Sequence, residues 1–500
     1  MPVNTPSESY KEHADDWRLI RDVIEGAKAV RAGGDKYLPK LTGMDYMEYA
    51  AYANRAQFFN ATARTVNGLV GAVFRREPKI ILGDANESLR PLLDRCTIDN
   101  QSFLSFSRHI FRETLSMGRV GALVDAPANG GIPYFTSYPA ESITNWRVVK
   151  MPDERVVADQ VVLCEYRAVP AADGFGSDEE KYYRVLFLDN DGRYGQQIYV
   201  EQKSLDGRSQ YALVGTTYPS LPGAGGFYND MPFVCFNARG TGLKIEKSPI
   251  LDIAELNKLH FQRSAQLAHG QFYTATPTYW AMAPVNNDDV TYRVGPNTVW
   301  LVEQPNGCGI LEYRGEGLKY LESACNQLEQ QMSGLGARLV SDRKNTAAEA
   351  SDVAAMRDKG ETSLLHEIVS AIDTGLTDLL KTWVRWQGRN PKDVSVRLNR
   401  DFVGAAIEYR TWLQLDRAHE KGDIDDETYY QVLFEGEMLP ASFTPQDIPE
   451  LIKKAEAKRA KIKREEEAAK MREIEAKRAK TSSDSSGDNS NDDDKDDSNS

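Results

Sequence analysis

The residues of this chain that could do chemistry are few, and their spacing does not suit them to it. Gly240-Thr241-Gly242-Leu243-Lys244 combines glycine with lysine. It lacks the GxxxxGK[ST] spacing that wraps backbone N–H groups and a lysine around a phosphate chain. Gly223 to Gly226 is glycine-rich, but it neither follows a clear strand nor opens a helix, so it reads as a loop. Asp189-Asn190-Asp191-Gly192 resembles part of a calcium loop. In that register Phe187 and Ile198 would fill the first and last ligand positions, and neither supplies an oxygen. His260 and His269 share one predicted helix at a non-chelating spacing, and no HExxH pair occurs. A GxSxG elbow is absent, although a triad assembled in space stays open. The five cysteines at 96, 164, 235, 308 and 325 form no CxxC pair, which favours buried free thiols over a disulfide framework. These features imply no catalytic residue, no metal site and no cofactor.

Spacing of another kind stands out between residues 316 and 346. Leu318, Leu321, Cys325, Leu328, Met332, Leu335 and Leu339 recur alternately three and four residues apart. That period belongs to a helix packed lengthwise against other helices. The remaining surface of the same helix carries Glu322, Asn326, Gln327, Glu329, Gln330 and Gln331. A core helix of one domain would show such a stripe, and so would one helix in a ring of parallel copies. Arg338 falls near its end. A polar break then follows, Ser341-Asp342-Arg343-Lys344-Asn345-Thr346, either a simple connection or a functional loop on a rigid scaffold.

The elements that position these residues alternate between helical and β tracts. Helices are expected over 8–31, ended by Gly33-Gly34, over 44–75, and over 101–118, closed by Gly118. Gly121 to Asp125 reads as a strand. From Val156 to Asn237 the pattern is a β-meander, with Asp189 to Gly192 as a hairpin turn. Ser248-Pro249 starts a helix running to about Gly270. The strand-like segment 277–315 precedes the apolar stripe, and a further helix is expected over 347–388, then a strand at 394–398. Shorter helices occupy 404–421 and 426–435. Between Leu451 and Lys480, twelve Lys and Arg face six Glu, a net +6, in one solvated helix. Residues 481–500 carry seven Asp and one Lys and are expected to be disordered.

Composition sets the limits. The chain has 500 residues, 41% hydrophobic and 27% charged, enough for several domains with a sizeable core. The polar N-terminus lacks a signal-peptide core, and no apolar run is long enough to span a membrane, so a cytosolic site of synthesis is expected. A net charge of −13 argues against tight sequence-specific nucleic-acid binding while allowing loose contact.

In order along the chain, several segments resemble tailed-phage portal proteins. The run Ser248-Pro249-Ile250-Leu251-Asp252-Ile253-Ala254-Glu255-Leu256-Asn257 through Pro277 is similar to their first stem helix, and Glu316 to Val340, ending Leu335-Gly336-Ala337-Arg338-Leu339, to the returning one. Thr346-Ala347-Ala348-Glu349-Ala350 resembles the point where the tunnel loop re-enters the long wing helix, and Asn399-Arg400-Asp401-Phe402 the exit after it. Upstream, Tyr37-Leu38-Pro39-Lys40-Leu41, Gly118-Arg119-Val120-Gly121 with Val124-Asp125, and Glu141-Ser142-Ile143 with Asn145-Trp146-Arg147 resemble a portal-like phage subfamily. The resemblance covers about residues 35 to 440.

The resemblance implies an α+β portal fold. It has a helix-rich and β-meander wing (1–247), a stem of two helices (248–272 and 316–340), and a small β-rich clip (273–315). A tunnel loop (341–349), a long wing helix and strand (350–403), and a helical crown (404–446) follow. The charged helix (447–480) and acidic tail (481–500) lie beyond it. It further implies a dodecameric ring at one capsid vertex of a virion, assembled in the host cytoplasm. Double-stranded DNA would pass through it without sequence specificity during packaging and ejection. Implied partners are the terminase large subunit, a head–tail adaptor, and the major capsid and scaffolding proteins, with no membrane. Arg338, Asp342, Arg343, Lys344 and Asn345 would border the DNA, and Trp280, Trp300 and Tyr313 would serve clip docking. Two rivals remain: another non-catalytic scaffold or adaptor, and a packaging nuclease or ATPase. The missing phosphate-loop signal disfavours the latter.

Overall fold

A computed structural model describes residues 2–127, 131–150, 154, 156–171, 175–203, 209–220, 226–275, 278–281, 308–311, 315–340, 364–400, 402, 409–435, 438 and 447–484. The chain is α+β with antiparallel sheets, and it divides into units 1–402 and 403–500.

The first unit begins with helix α1 (Glu8–Glu25), capped by Ser7, whose side chain accepts the Tyr10 N–H. Trp17, Ile20 and Val23 point into the core, and the Trp17 indole N–H donates to the Met117 carbonyl at 3.1 Å. The single helix expected over 8–31 breaks at Gly26, whose φ of 108° interrupts it before α2 (Ala27–Ala32). The tract expected over 44–75 also divides, into α3 (Tyr46–Arg55) and α4 (Ala61–Val73). Here the cause is competition from local caps. Ala56 is extended, and Asn60 restarts the helix by accepting the Ala63 N–H.

Strand β1 (Lys79–Ile81) leads to α5 (Phe103–Met117), which ends at left-handed Gly118. A Cβ there would lie 3.0 Å from the Glu246 carbonyl, so the chain turns on glycine into β2 (Arg119–Asp125). All seven residues of β2 are buried. After β3 (Tyr134–Pro139), the strands β4 (Ile143–Lys150), β5 (Val156–Pro170), β6 (Ser177–Leu188), β7 (Tyr194–Lys203) and β8 (Ser209–Thr217) form a five-stranded antiparallel meander in chain order. The next strand, β9 (Phe233–Asn237), lies within the tract 156–237 expected to be that meander. It instead joins the core sheet, ordered β10-β9-β2-β3 with β10 (Gly240–Thr241).

Helices α6 (Leu251–Ala275) and α7 (Leu318–Val340) flank a two-stranded sheet of β11 (Thr278–Ala281) and β12 (Cys308–Leu311). Helix α8 (Leu364–Arg385) then crosses the core sheet. Its Gly375 lets Phe236 approach to where a Cβ would stand, 2.4 Å away. Strand β13 (Ser395–Arg397) pairs with β1.

Buried polar groups tie these layers together. Arg184 donates to Asp125 at 2.6 Å and pairs with Glu165, which also accepts the Tyr138 hydroxyl at 2.7 Å, so the meander is locked to β2 and β3. Arg21 on α1 is gripped by Glu113 and Glu141 at 2.8 Å each. Both guanidiniums are thereby paired with two carboxylates, the arrangement that makes burial of a charge tolerable.

The second unit holds α9 (Tyr409–Glu420), α10 (Asp426–Glu435) and α11 (Ile448–Asp484). The His419 ring stacks on Tyr429 with centroids 3.8 Å apart, and Arg459 of α11 reaches Asp426 at 3.0 Å. Helix α11 runs to Asp484, beyond the expected boundary at 480, and residues 485–500 lie outside the described residues.

Candidate functional site

The candidate site is the hairpin of α6 and α7. Its root is set by Ser248, which accepts the Ile250 N–H at 3.2 Å and donates to the Ser116 carbonyl at the end of α5. Pro249 follows, where a missing N–H costs nothing. The root of α6 buries Ile253, Ala254, Asn257, His260, Phe261 and Ala265, and no residue of α6 after Ala265 is buried. Since α6 spans roughly 37 Å at 1.5 Å per residue, its far part leaves the packed interior.

Asn257 is the main clasp. Fully buried, it accepts from the Thr62 N–H at 3.1 Å and the Thr62 hydroxyl at 3.0 Å, and donates to the Phe59 carbonyl at 2.7 Å. It thus satisfies an orphan N–H in the first turn of α4 that Asn60 cannot reach.

Helix α7 runs back along α6. Near the tip, a Cβ on Gly270 would lie 2.5 Å from the Leu318 Cδ2, so the leucine side chain of α7 packs directly on the α6 backbone there. Ten residues down α6 and eleven along α7, the His260 Nε2 meets Glu329 at 3.2 Å. At the root, a Cβ on Gly336 would meet Thr65 of α4 at 3.1 Å. Along the inner side Cys325, Leu328, Met332 and Leu339 are buried, and Leu318, Leu321 and Leu335 are half-buried. On the other side Glu322, Asn326, Gln327, Gln330 and Gln331 are exposed, while Glu329 is drawn in by His260.

The tip has a different character. Phe272, Tyr273, Trp280, Ile310 and Tyr320 are exposed, Tyr320 by 79%. The Arg55 guanidinium lies 4.0 Å over the Phe272 ring. His269 sits between the Tyr52 and Tyr273 rings, and burial, helped by Arg55, holds its imidazole below the ordinary value.

Of the residues singled out from the sequence, Trp280 lies on β11, and Arg338 occupies the last turn of α7. Asp342, Arg343, Lys344, Asn345, Trp300 and Tyr313 lie outside the described residues. Sequence reasoning missed Asn257 and the His260–Glu329 pair. A polar residue recurring on the apolar side of α6 was the available signal for both. Among the described residues, no group of three His, Cys, Asp or Glu could hold a metal ion, and no helix is long and apolar enough to cross a membrane.

Three solved structures similar to this chain come from gene transfer agent (GTA) particles. The neck of a native GTA particle with C12 symmetry has 12% identity and a TM-score of 0.36, over 75% of this chain and 89% of that one. A chain of the native GTA virion has 12% identity and a TM-score of 0.38, over 81% and 98%. The neck of an empty GTA particle with C6 symmetry has 13% identity and a TM-score of 0.38, over 78% and 94%. No curated protein matches the chain. A family described as a domain of unknown function, DUF4055, matches residues 249–387, the stretch that contains the hairpin and α8.

Proposed function

We propose that this chain is a portal subunit: copies form a ring at one vertex of a phage-type capsid, and double-stranded DNA crosses the particle shell through it. The observation that carries this reading is the α6–α7 hairpin. It is rooted in the core by Asn257, leaves the interior beyond Ala265, and presents three different surfaces. The apolar side of α7 packs on α6 and α4, the exposed Asn and Gln side is hydrated, and the tip exposes aromatic rings. A stem, a channel-facing wall and a docking tip need those three surfaces in that order. The uncharged amides fit a wall that must not grip a polyanion, because affinity for DNA comes mostly from neutralised phosphates.

In this reading 248–272 and 316–340 form the stem, 273–315 the clip, and 341–349 the tunnel loop, where Arg343 and Lys344 touch phosphates transiently. Among the described residues β11 and β12 pair only with each other, and a two-stranded sheet is marginal alone, so further copies or a docked terminase or adaptor would stabilise them. Solution mass tests the reading against its rivals. A particle many times the 56.0 kDa chain, without ATPase or nuclease activity, supports it. A persistent monomer with either activity overturns it.

A further inference from the structure

Arg119, the first residue of β2, is fully buried. Its Nε donates weakly to the Cys235 sulfur at 3.4 Å, and its guanidinium lies 4.2 Å from the centre of the Trp146 ring. Neither terminal nitrogen has a hydrogen-bond partner among the described residues. Arg21 and Arg184, by contrast, each meet two carboxylates. An unpaired buried guanidinium is among the costliest arrangements a protein can hold, and only the Trp146 ring and the Cys235 sulfur offset the charge of Arg119.

Three further observations describe what would replace it. Asn237 stands directly across the β2–β9 ladder from Arg119, so the two side chains leave the sheet on one face. Its Nδ2 donates to the Gly242 and Lys244 carbonyls, which leaves its buried Oδ1 without a donor. Trp146 and Cys235, the two groups touching the guanidinium, both line an open cleft whose rim also carries His13, Lys244, Glu12 and Asp378. Trp146 itself sits between two register breaks in the β4–β5 ladder, an irregular stretch of strand that can re-aim a side chain.

Neither Arg119 nor Asn237 lines this cleft, and their unpaired atoms have almost no accessible surface. We propose that displacement of Trp146, their cover, opens the cleft onto a binding site for a small protonated oxyanion of the phosphate class. Two guanidinium N–H donors suit two oxygens of one anion. The anion's own O–H supplies the donor that Asn237 Oδ1 lacks. Sulfate and acetate, which carry no proton near neutral pH, fit the arginine but not the asparagine.

The test is titration of the full chain with inorganic phosphate at constant ionic strength, read by tryptophan fluorescence and thermal unfolding. A saturable response is expected, at least about tenfold tighter for phosphate than for sulfate or acetate, the margin of one unpaired buried polar group. Arg119→Met abolishes it, yet melts no lower than wild type in phosphate-free buffer, because the unpaired charge is gone. Arg119→Lys keeps the charge but loses the fork and binds about tenfold more weakly. Asn237→Leu erases the preference for phosphate over sulfate. No saturable response in the wild type, an equal response in Arg119→Met, or equal affinity for acetate overturns the proposal.

Discussion

Gly270 and Leu318 meet where a Cβ on the glycine would stand 2.5 Å from the leucine Cδ2, closing the distal end of the α6–α7 hairpin. Elsewhere in a helix, glycine costs about 1 kcal/mol against alanine. Its presence here is explained by the close approach of α7. Gly270→Val should therefore splay the tip, at about 1–3 kcal/mol for overpacking. Hydrogen exchange should quicken in 266–275 and 318–325 with little change at the root. Leu318→Ala in the same chain should recover much of the loss, and strictly additive effects of the two changes would contradict the contact.

Asn257→Ala removes three hydrogen bonds at once and leaves the Thr62 N–H and hydroxyl without their acceptor in the core, while the Phe59 carbonyl keeps the Ala61 N–H. A loss of about 2–4 kcal/mol is expected. Denaturant unfolding measures it, and a loss no larger than that of an exposed-site control would show that the clasp does not hold α6 to α4.

The two sides of α7 should respond differently. Met332 is 1% exposed, so Met332→Ala should cost about 2–5 kcal/mol. Gln327→Ala, on the exposed side, should stay within about 0.5 kcal/mol. If Gln327 lines a channel, its replacement by arginine should slow DNA passage while leaving unfolding unchanged. Equal stability losses at both positions would remove the sidedness from which the stem is argued.

His269 gives the hairpin a pH dependence of definite sign. Its folded value lies below the unfolded one of about 6.5, because burial disfavours the imidazolium. Below that pH the unfolded chain takes up a proton that the folded chain refuses, so stability is full above it and falls as the solution becomes more acidic. Exchange in the distal half of α6 should quicken on acidification, and His269→Gln should flatten the response. An unchanged slope in that variant would assign the effect elsewhere.

Arg343→Ala with Lys344→Ala should alter packaging or retention of DNA without preventing ring assembly. The effect should grow as salt is lowered, since phosphate contacts are released by counter-ions. Unaltered packaging by that double variant would remove the tunnel loop from the mechanism.

The α+β class was legible because it rests on local periodicity, and α7 shows why. Met332 belongs to a run of apolar residues spaced for one side of a helix, a signal that needs no knowledge of the rest of the chain. The long tract over 44–75 misled because its composition is helical throughout, while Asn60 restarts the helix from outside that pattern, through a cap. Phe233 to Asn237 fell only within the broad β tract expected over 156–237, because local pattern does not tell a strand which sheet to join, and its partner, β2, lies more than a hundred residues earlier. The partners of Asn257 and Arg119 were not legible for the same reason. Each is a polar residue whose burial is decided by groups distant in sequence, Phe59 and Thr62 for one, Trp146 and Cys235 for the other.

The most direct measurement is negative-stain electron microscopy of the purified chain over a range of salt and protein concentration. The portal reading predicts closed rings with a central hole, narrow tips formed by the hairpins, and mass many times the 56.0 kDa subunit. Monomers or dimers under every condition, or assemblies without a central hole, would contradict it.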